Sequence, residues 1–126
     1  MSVPYGQSDV RTLDHRLVPY AEWLVEVARE QGWDPNVTST TRSTAKQAKL
    51  YAKFLRGELP YTVAPPGRSL HEHALAWDMT VAPHRAGDAT MNDRLRALGE
   101  LWESVGGTWG GRFRDPIHFD ARVLKA

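Results

Sequence analysis

The 126-residue chain contains no cysteine. That excludes disulfides and thiolate metal ligands, and leaves histidine and carboxylates as the donors for any metal site. It has almost no net charge: sixteen Lys and Arg against fifteen Asp and Glu give +1, with a pI of about 8.1. A surface so balanced creates no field that would draw the chain to nucleic acid or anionic lipid, and no basic stripe interleaves with aromatics. No apolar run approaches the length that spans a bilayer, so membrane insertion is not expected. The first residues, Met1-Ser2-Val3-Pro4-Tyr5-Gly6-Gln7, lack a basic region followed by an apolar core, so no signal peptide is visible and synthesis in a cytoplasm is expected. Internal repeats and low-complexity segments are absent too.

What is present is ordinary for a globular domain: 41% hydrophobic and 25% charged residues, in a length suited to one domain spanning 1–126. A chain of this size buries enough surface for a core without covalent staples. The five Trp are many for the length, and core packing is the first expectation for them.

The hydrophobic periodicity sketches an α+β fold, three helices packed on a small, mostly antiparallel sheet. Residues 1–12 read as an extended arm. A first helix runs from about Leu13 or Leu17 to Gln31, with Leu13, Leu17, Tyr20, Leu24 and Val27 on one face; Pro19 places its regular start and Gly32 its stop. The β-branched stretch Asn36 to Arg42 reads as a strand. Ser43 or Thr44 caps a second helix with Ala45, Ala48, Tyr51, Ala52 and Leu55 on one face. Pro60, Pro65, Pro66 and Gly67 make 58–68 a loop, a candidate cleft wall. Ala76 to Val81 alternates as a strand, with Asp78 facing away from Trp77. Residues 83–89 form a second loop. Thr90 with Asp93 resembles a capping box for a third helix, whose buried stripe is Met91, Leu95, Leu98, Trp102 and Val105. Ile117 to Val123 closes the sheet.

The chemistry lies in two separated stretches. Ser69-Leu70-His71-Glu72-His73 runs on to Asp78, and Asp115-Pro116-Ile117-His118-Phe119 follows about forty residues later. A His, an Asp seven residues on, and a distant His with a carboxylate at i−3 make three ligands and a base. Two imidazoles and one carboxylate suit Zn²⁺, and three protein ligands leave a fourth position open, as in catalytic sites. Alternatives stay open. His73 rivals His71 as ligand, Glu72 or Asp120 rivals Asp115 as base, and Asp78 taken alone is an ordinary strand-end carboxylate. Ser69 is as well explained as a loop cap. His15 and His84 read as surface residues, and Lys46, Lys49 and Lys53 as a solvated helix face.

These motifs, with Thr41-Arg42-Ser43, Gln47 and Leu50-Tyr51 upstream and Trp109-Gly110-Gly111 between, resemble the zinc D-alanyl-D-alanine carboxypeptidase and L-alanyl-D-glutamate endopeptidase family. Four motifs occur in order from about Thr38 to Phe119. The resemblance implies the fold shared with the hedgehog signalling domain. It implies that His71, Asp78 and His118 bind zinc, that Asp115 acts as general base and acid, and that Arg42 holds a substrate carboxylate or the developing oxyanion. Ser69, Trp109 and Gln47 are the implied substrate contacts. The implied partner is the peptide stem of peptidoglycan, and a monomer is expected. Within the family, small members without a leader are similar to bacteriophage endolysins, which cut the L-alanyl-D-glutamate bond and reach the wall after release by a holin-type route. Trimming of D-alanyl-D-alanine is the alternative activity. A non-catalytic wall-binding module with structural zinc is the alternative class, against which the intact Asp115 argues. The chain departs from the family in having Ala74 where Gly is usual and Thr41 where an aromatic often precedes the Arg.

Overall fold

The computed structural model describes residues 9–82 and 90–125. Three helices, α1 (Val18–Glu30), α2 (Thr44–Leu55) and α3 (Met91–Ser104), accompany a four-stranded sheet of β1 (Asp34–Ser39), β2 (Ala76–Ala82), β3 (Thr108–Trp109) and β4 (His118–Asp120). The strand order is β1-β2-β4-β3, and every pairing is antiparallel. No helix among the described residues is long and apolar enough to cross a membrane.

α1 begins at Val18 because Pro19 fits the first turn, where an N–H has no partner to lose. It ends where Gly32 takes φ +80°, which lets Gly32 and Trp33 donate to the carbonyls of Arg29 and Ala28. Its buried face is Ala21, Leu24, Val25 and Ala28, while Tyr20, expected inside, is 44% exposed. α3 starts at a Thr90 cap that accepts from the Asp93 N–H, and it buries Leu95, Leu98, Gly99 and Trp102; Val105 lies outside. Trp77 stacks on Phe119 with centroids 5.5 Å apart, and Trp102 meets Trp77 edge-on, so one face of β2 and β4 is sealed by aromatics.

Several elements differ from the sequence reading. The arm expected over 1–12 ends in a 3₁₀ turn, Val10–Thr12, with Val10 fully buried in the core. Tertiary burial overrides a stretch with no periodicity of its own; residues 1–8 lie outside the described set. β1 stops at Ser39, short of Arg42, because its pairing with β2 slips between Val37 and Ser39. β4 is three residues long, and a second 3₁₀ turn, Arg122–Leu124, replaces the rest of the expected strand. α2 has the expected limits and Ser43 cap, but not the expected face. Ala45, Ala48 and Leu55 are exposed; Gln47 is buried, and Leu50, Tyr51 and Phe54 are half-buried. The inward stripe of α2 is therefore 47, 50, 51 and 54, with an amide at its centre. The 83–89 loop and His84 lie outside the described residues.

Candidate metal centre and cleft

β2 and β4 create the centre by register. Asp78 and His118 are direct cross-strand partners, so their side chains stand together on the face opposite the aromatic core. His71 arrives from a 3₁₀ turn, Leu70–His73, just before β2. Ser69 Oγ accepts from the His71 N–H at 3.2 Å, and Glu72 reaches back to the N–H groups of Ser69 and Gly67. That reciprocal cap holds the turn and directs Glu72 away from Asp78. Ala74 closes the turn in the left-handed region at φ +60°.

Segment 40–42 grips His71 twice. The ring Nδ1 lies 2.8 Å from the Thr40 carbonyl, and the Arg42 N–H donates to the His71 carbonyl at 2.9 Å. A carbonyl only accepts, so Nδ1 carries a proton and Nε2 is the nitrogen left for a metal. Thr40 is itself tied to Thr12 through their hydroxyls at 2.8 Å.

His71 Nε2 and His118 Nδ1 each lie 3.5 Å from the same oxygen, Asp78 Oδ1. One donor atom from each of the three residues lies within 4.8 Å of the others, and this is the cluster of metal-ligand geometry among the described residues. Zinc bonds of about 2.0–2.1 Å in a tetrahedron put ligand atoms roughly 3.4 Å apart, so the 3.5 Å edges match that ion with little adjustment. The donor set, two imidazoles and a carboxylate, agrees.

The charges are set by the same contacts. Burial opposes ionisation of Asp78, but hydrogen bonds to His118 and His71 outweigh it and hold the carboxyl well below its ordinary range. Burial also disfavours charge on His118, yet its hydrogen bonds to Asp120 and Asp78 push its pKa up to about 9. Asp115 shifts the other way. Burial, and then the neighbouring Asp78 carboxylate, raise it, with His118 and His71 opposing.

The cluster forms part of a cleft of about 750 Å³, which Asp115, Arg42, Gln47 and Ser69 also line. Arg42 donates to Gln47 Oε1 at 2.8 Å and to Ser39 Oγ at 2.9 Å, both neutral, so these bonds aim the guanidinium without cancelling its charge. Gln47 donates in turn to the Ala64 carbonyl at 2.8 Å, linking α2 to the 58–68 loop. The cleft lining also includes Lys46, Arg68, Arg122 and Lys125; Lys46 is exposed, as are Lys49 and Lys53, and stands at the rim.

The structure thus brings His71, Asp78, His118, Asp115, Arg42, Ser69 and Gln47 to one cleft. The three implied substrate contacts all have structural duties. Gln47 is buried with its amide engaged at both ends, and Ser69 caps the His71 turn, so each positions a neighbour. Trp109, expected at the substrate, is packed in the core, and its indole donates to the Pro116 carbonyl. Its ring fills space that Gly99 and Gly111 leave open, which explains the Trp-Gly-Gly run. His73 is exposed and outside the cluster. Asp120, the fallback base, is fully buried and does not line the cleft. Sequence reasoning missed the Thr40 carbonyl altogether, since a backbone atom leaves no trace in residue type.

With this geometry in place, the comparisons are specific. A sequence profile of the family described as D-alanyl-D-alanine carboxypeptidase matches residues 62–121. The chain is similar to that peptidase family. The matched stretch contains His71, Asp78, Asp115 and His118; Arg42 and Gln47 lie before it. Among solved structures, a variant of the vancomycin-resistance D,D-pentapeptidase VanY from a VanB-type cassette, in complex with Zn(II), shares 26% identity at a TM-score of 0.61, over 86% of this chain and 71% of that one. VanYB in complex with D-alanine-D-alanine matches at 26% identity and a TM-score of 0.61, over 86% of this chain and 70% of that one. The LD-carboxypeptidase LdcB matches at 17% identity and a TM-score of 0.63, over 89% of this chain and 63% of its own length, a likeness of fold. No curated protein matches the chain. The three helices and antiparallel sheet are the DD-peptidase-like fold of these structures.

Proposed function

We propose that the protein is a zinc-dependent peptidoglycan hydrolase that cleaves the L-alanyl-D-glutamate bond of peptide stems, in the manner of an endolysin that reaches the wall after release from the cytoplasm. The observation that carries the reading is the convergence of His71 Nε2, Asp78 Oδ1 and His118 Nδ1 in a cleft shared with Asp115 and Arg42. Zinc held by these three residues would supply a Lewis acid for the scissile carbonyl and acidify a water.

Asp115 takes a proton from the attacking water as oxygen bonds to the carbonyl carbon. It returns that proton to the amine as the C–N bond breaks. General acid–base help of this kind contributes about 10²–10⁴-fold. Without metal, burial and the neighbouring Asp78 carboxylate hold the Asp115 carboxyl above its ordinary range. Arg42, held by Ser39 and Gln47, offers a preorganised cation to the oxyanion or to a substrate carboxylate.

Arg42, Lys46, Arg68 and Lys125 border the cleft, which suits a peptide stem that carries several carboxylates. The second reading is a D-alanyl-D-alanine carboxypeptidase, favoured by the family profile and by the similarity to VanYB, solved with D-alanine-D-alanine. Digestion of purified peptidoglycan, followed by mass spectrometry, separates the two. Stems ending in L-alanine support the proposal; release of free D-alanine alone replaces it with the carboxypeptidase, and intact muropeptides reject both.

A further inference from the structure

The two histidines of the centre present opposite nitrogens, and each is held by a different kind of oxygen. His71 gives its Nδ1 proton to the Thr40 carbonyl. His118 is turned the other way: Nδ1 faces Asp78 Oδ1 at 3.5 Å, while Nε2 lies 2.7 Å from Asp120 Oδ2. An ionised carboxylate only accepts, so Asp120 keeps a proton on Nε2, and Nδ1, the nitrogen that faces Asp78, is the one left to give up its proton to a metal. Asp120 is fully buried, and the other hydrogen bonds to its carboxylate come from Arg122. The Arg122 N–H and Nε reach Oδ1 at 2.9 and 3.1 Å, and the Arg122 NH2 group reaches Oδ2 at 2.8 Å. Capping the turn at Arg122 would need Oδ1 alone; Oδ2 is aimed at His118. Arg122 is itself braced, with its guanidinium 5.3 Å over the Phe113 ring.

We propose that Asp120 is a positioning residue that fixes His118 as an Nδ1 metal ligand, and that Arg122 clamps Asp120 in that pose. The inference rests on the zinc-site reading above. A carboxylate behind a metal-bound imidazole sets the tautomer, orients the ring and raises its basicity, and loss of such a partner typically weakens metal binding about 10–100-fold. β4 places the pair by simple alternation: residues 118 and 120 share a face of the strand.

The test is zinc affinity, measured by competition with a chromogenic chelator on wild type, Asp120→Ala, Asp120→Asn and Arg122→Ala, each checked for native circular dichroism. Asp120→Ala should lose about 10–100-fold in affinity. Asp120→Asn should lose less, because its amide oxygen still accepts from Nε2. Arg122→Ala, a change at an exposed side chain, should lose severalfold and keeps the test valid if Asp120→Ala fails to fold. In ¹⁵N spectra of the zinc-loaded wild type, His118 should carry its proton on Nε2. Folded Asp120 variants that bind zinc within twofold of wild type, or coordination of His118 through Nε2, would overturn the inference. Wild type that binds no zinc would instead overturn the reading of the site itself.

Discussion

Gly110 and Asp115 are in backbone contact: the Asp115 N–H donates to the Gly110 carbonyl at 2.9 Å, and a β-carbon on Gly110 would collide with the Asp115 carbonyl oxygen. The same β-carbon would stand 2.7 Å from His118 Cβ. The loop that leads from Asp115, the proposed base, into His118, a proposed metal ligand at the start of β4, therefore closes onto a bare backbone.

Gly110→Ala should displace that loop. Overpacking of this kind costs about 1–3 kcal/mol, and here the strain falls on the centre. Zinc titration and thermal unfolding should show weakened metal binding together with a lowered Tm. Unchanged zinc affinity would mean that the loop relaxes without moving His118.

Asp115→Asn removes the proposed base and leaves the three proposed ligands in place. Hydrolysis should fall by about 10²–10⁴-fold with zinc stoichiometry retained. In the wild type, a base must be ionised to act, so kcat/KM should fall on the acid side of the pH–rate profile. A pH–rate profile on a soluble stem peptide checks both, and that acid limb should vanish in the variant.

Metal uptake should release a proton. Without metal, His118 titrates at about 9, against an ordinary 6.5, and coordination requires the neutral ring. Calorimetry in buffers of different ionisation enthalpy should give about one proton released per zinc near pH 7.5, falling toward zero well above 9. The same shift governs stability of the metal-free protein. Its folded pKa lies above the unfolded one, so the contribution of His118 is complete below 6.5 and is lost as pH rises through about 9. Thermal midpoints of the chelated protein should fall over that window.

How much of this could be read from residue types is uneven, for physical reasons. That His71, Asp78 and His118 come together, with Asp115 in the same cleft, was legible because metal chemistry restricts donor types, and because strand alternation set Asp78 opposite Trp77. The boundaries of α1, α2 and α3 were legible through Pro19, Ser43 and Thr90. The inward face of α2 was not, because small apolar residues at 45, 48 and 52 imitate a core stripe, while the position that is buried holds Gln47. Trp109 was misplaced because an aromatic beside glycines fits a cleft wall and a tight core equally well. Asp120 stood in plain view two residues from His118, but its partner Arg122 follows a turn that no periodicity announces.

Ala74 should be improvable. It occupies φ +60°, where a side chain is disfavoured by about 1–2 kcal/mol. Glycine there costs more conformational entropy in the unfolded chain, so Ala74→Gly should gain about 0.5–1 kcal/mol net. A rise of roughly 2–4 °C in Tm by calorimetry is the expected reading; a fall would show that the methyl packs usefully.

Gln47→Leu should keep the helix and loosen the cleft. It leaves the Ala64 carbonyl without its partner and Arg42 with Ser39 alone, at a cost of about 1–3 kcal/mol for the unpaired buried group. Steady-state kinetics should show KM rising more than kcat falls, and an equal loss in both would place Gln47 at the transition state instead.

The Thr12–Thr40 contact carries a further implication. The carbonyl that orients His71 belongs to a residue moored to the N-terminal turn, and Asp14 donates from its backbone to the Ala74 carbonyl at the end of the His71 turn. Residues 9–14, none of which lines the cleft, thus work as a foundation beneath a side chain that the sequence does not reach until much later.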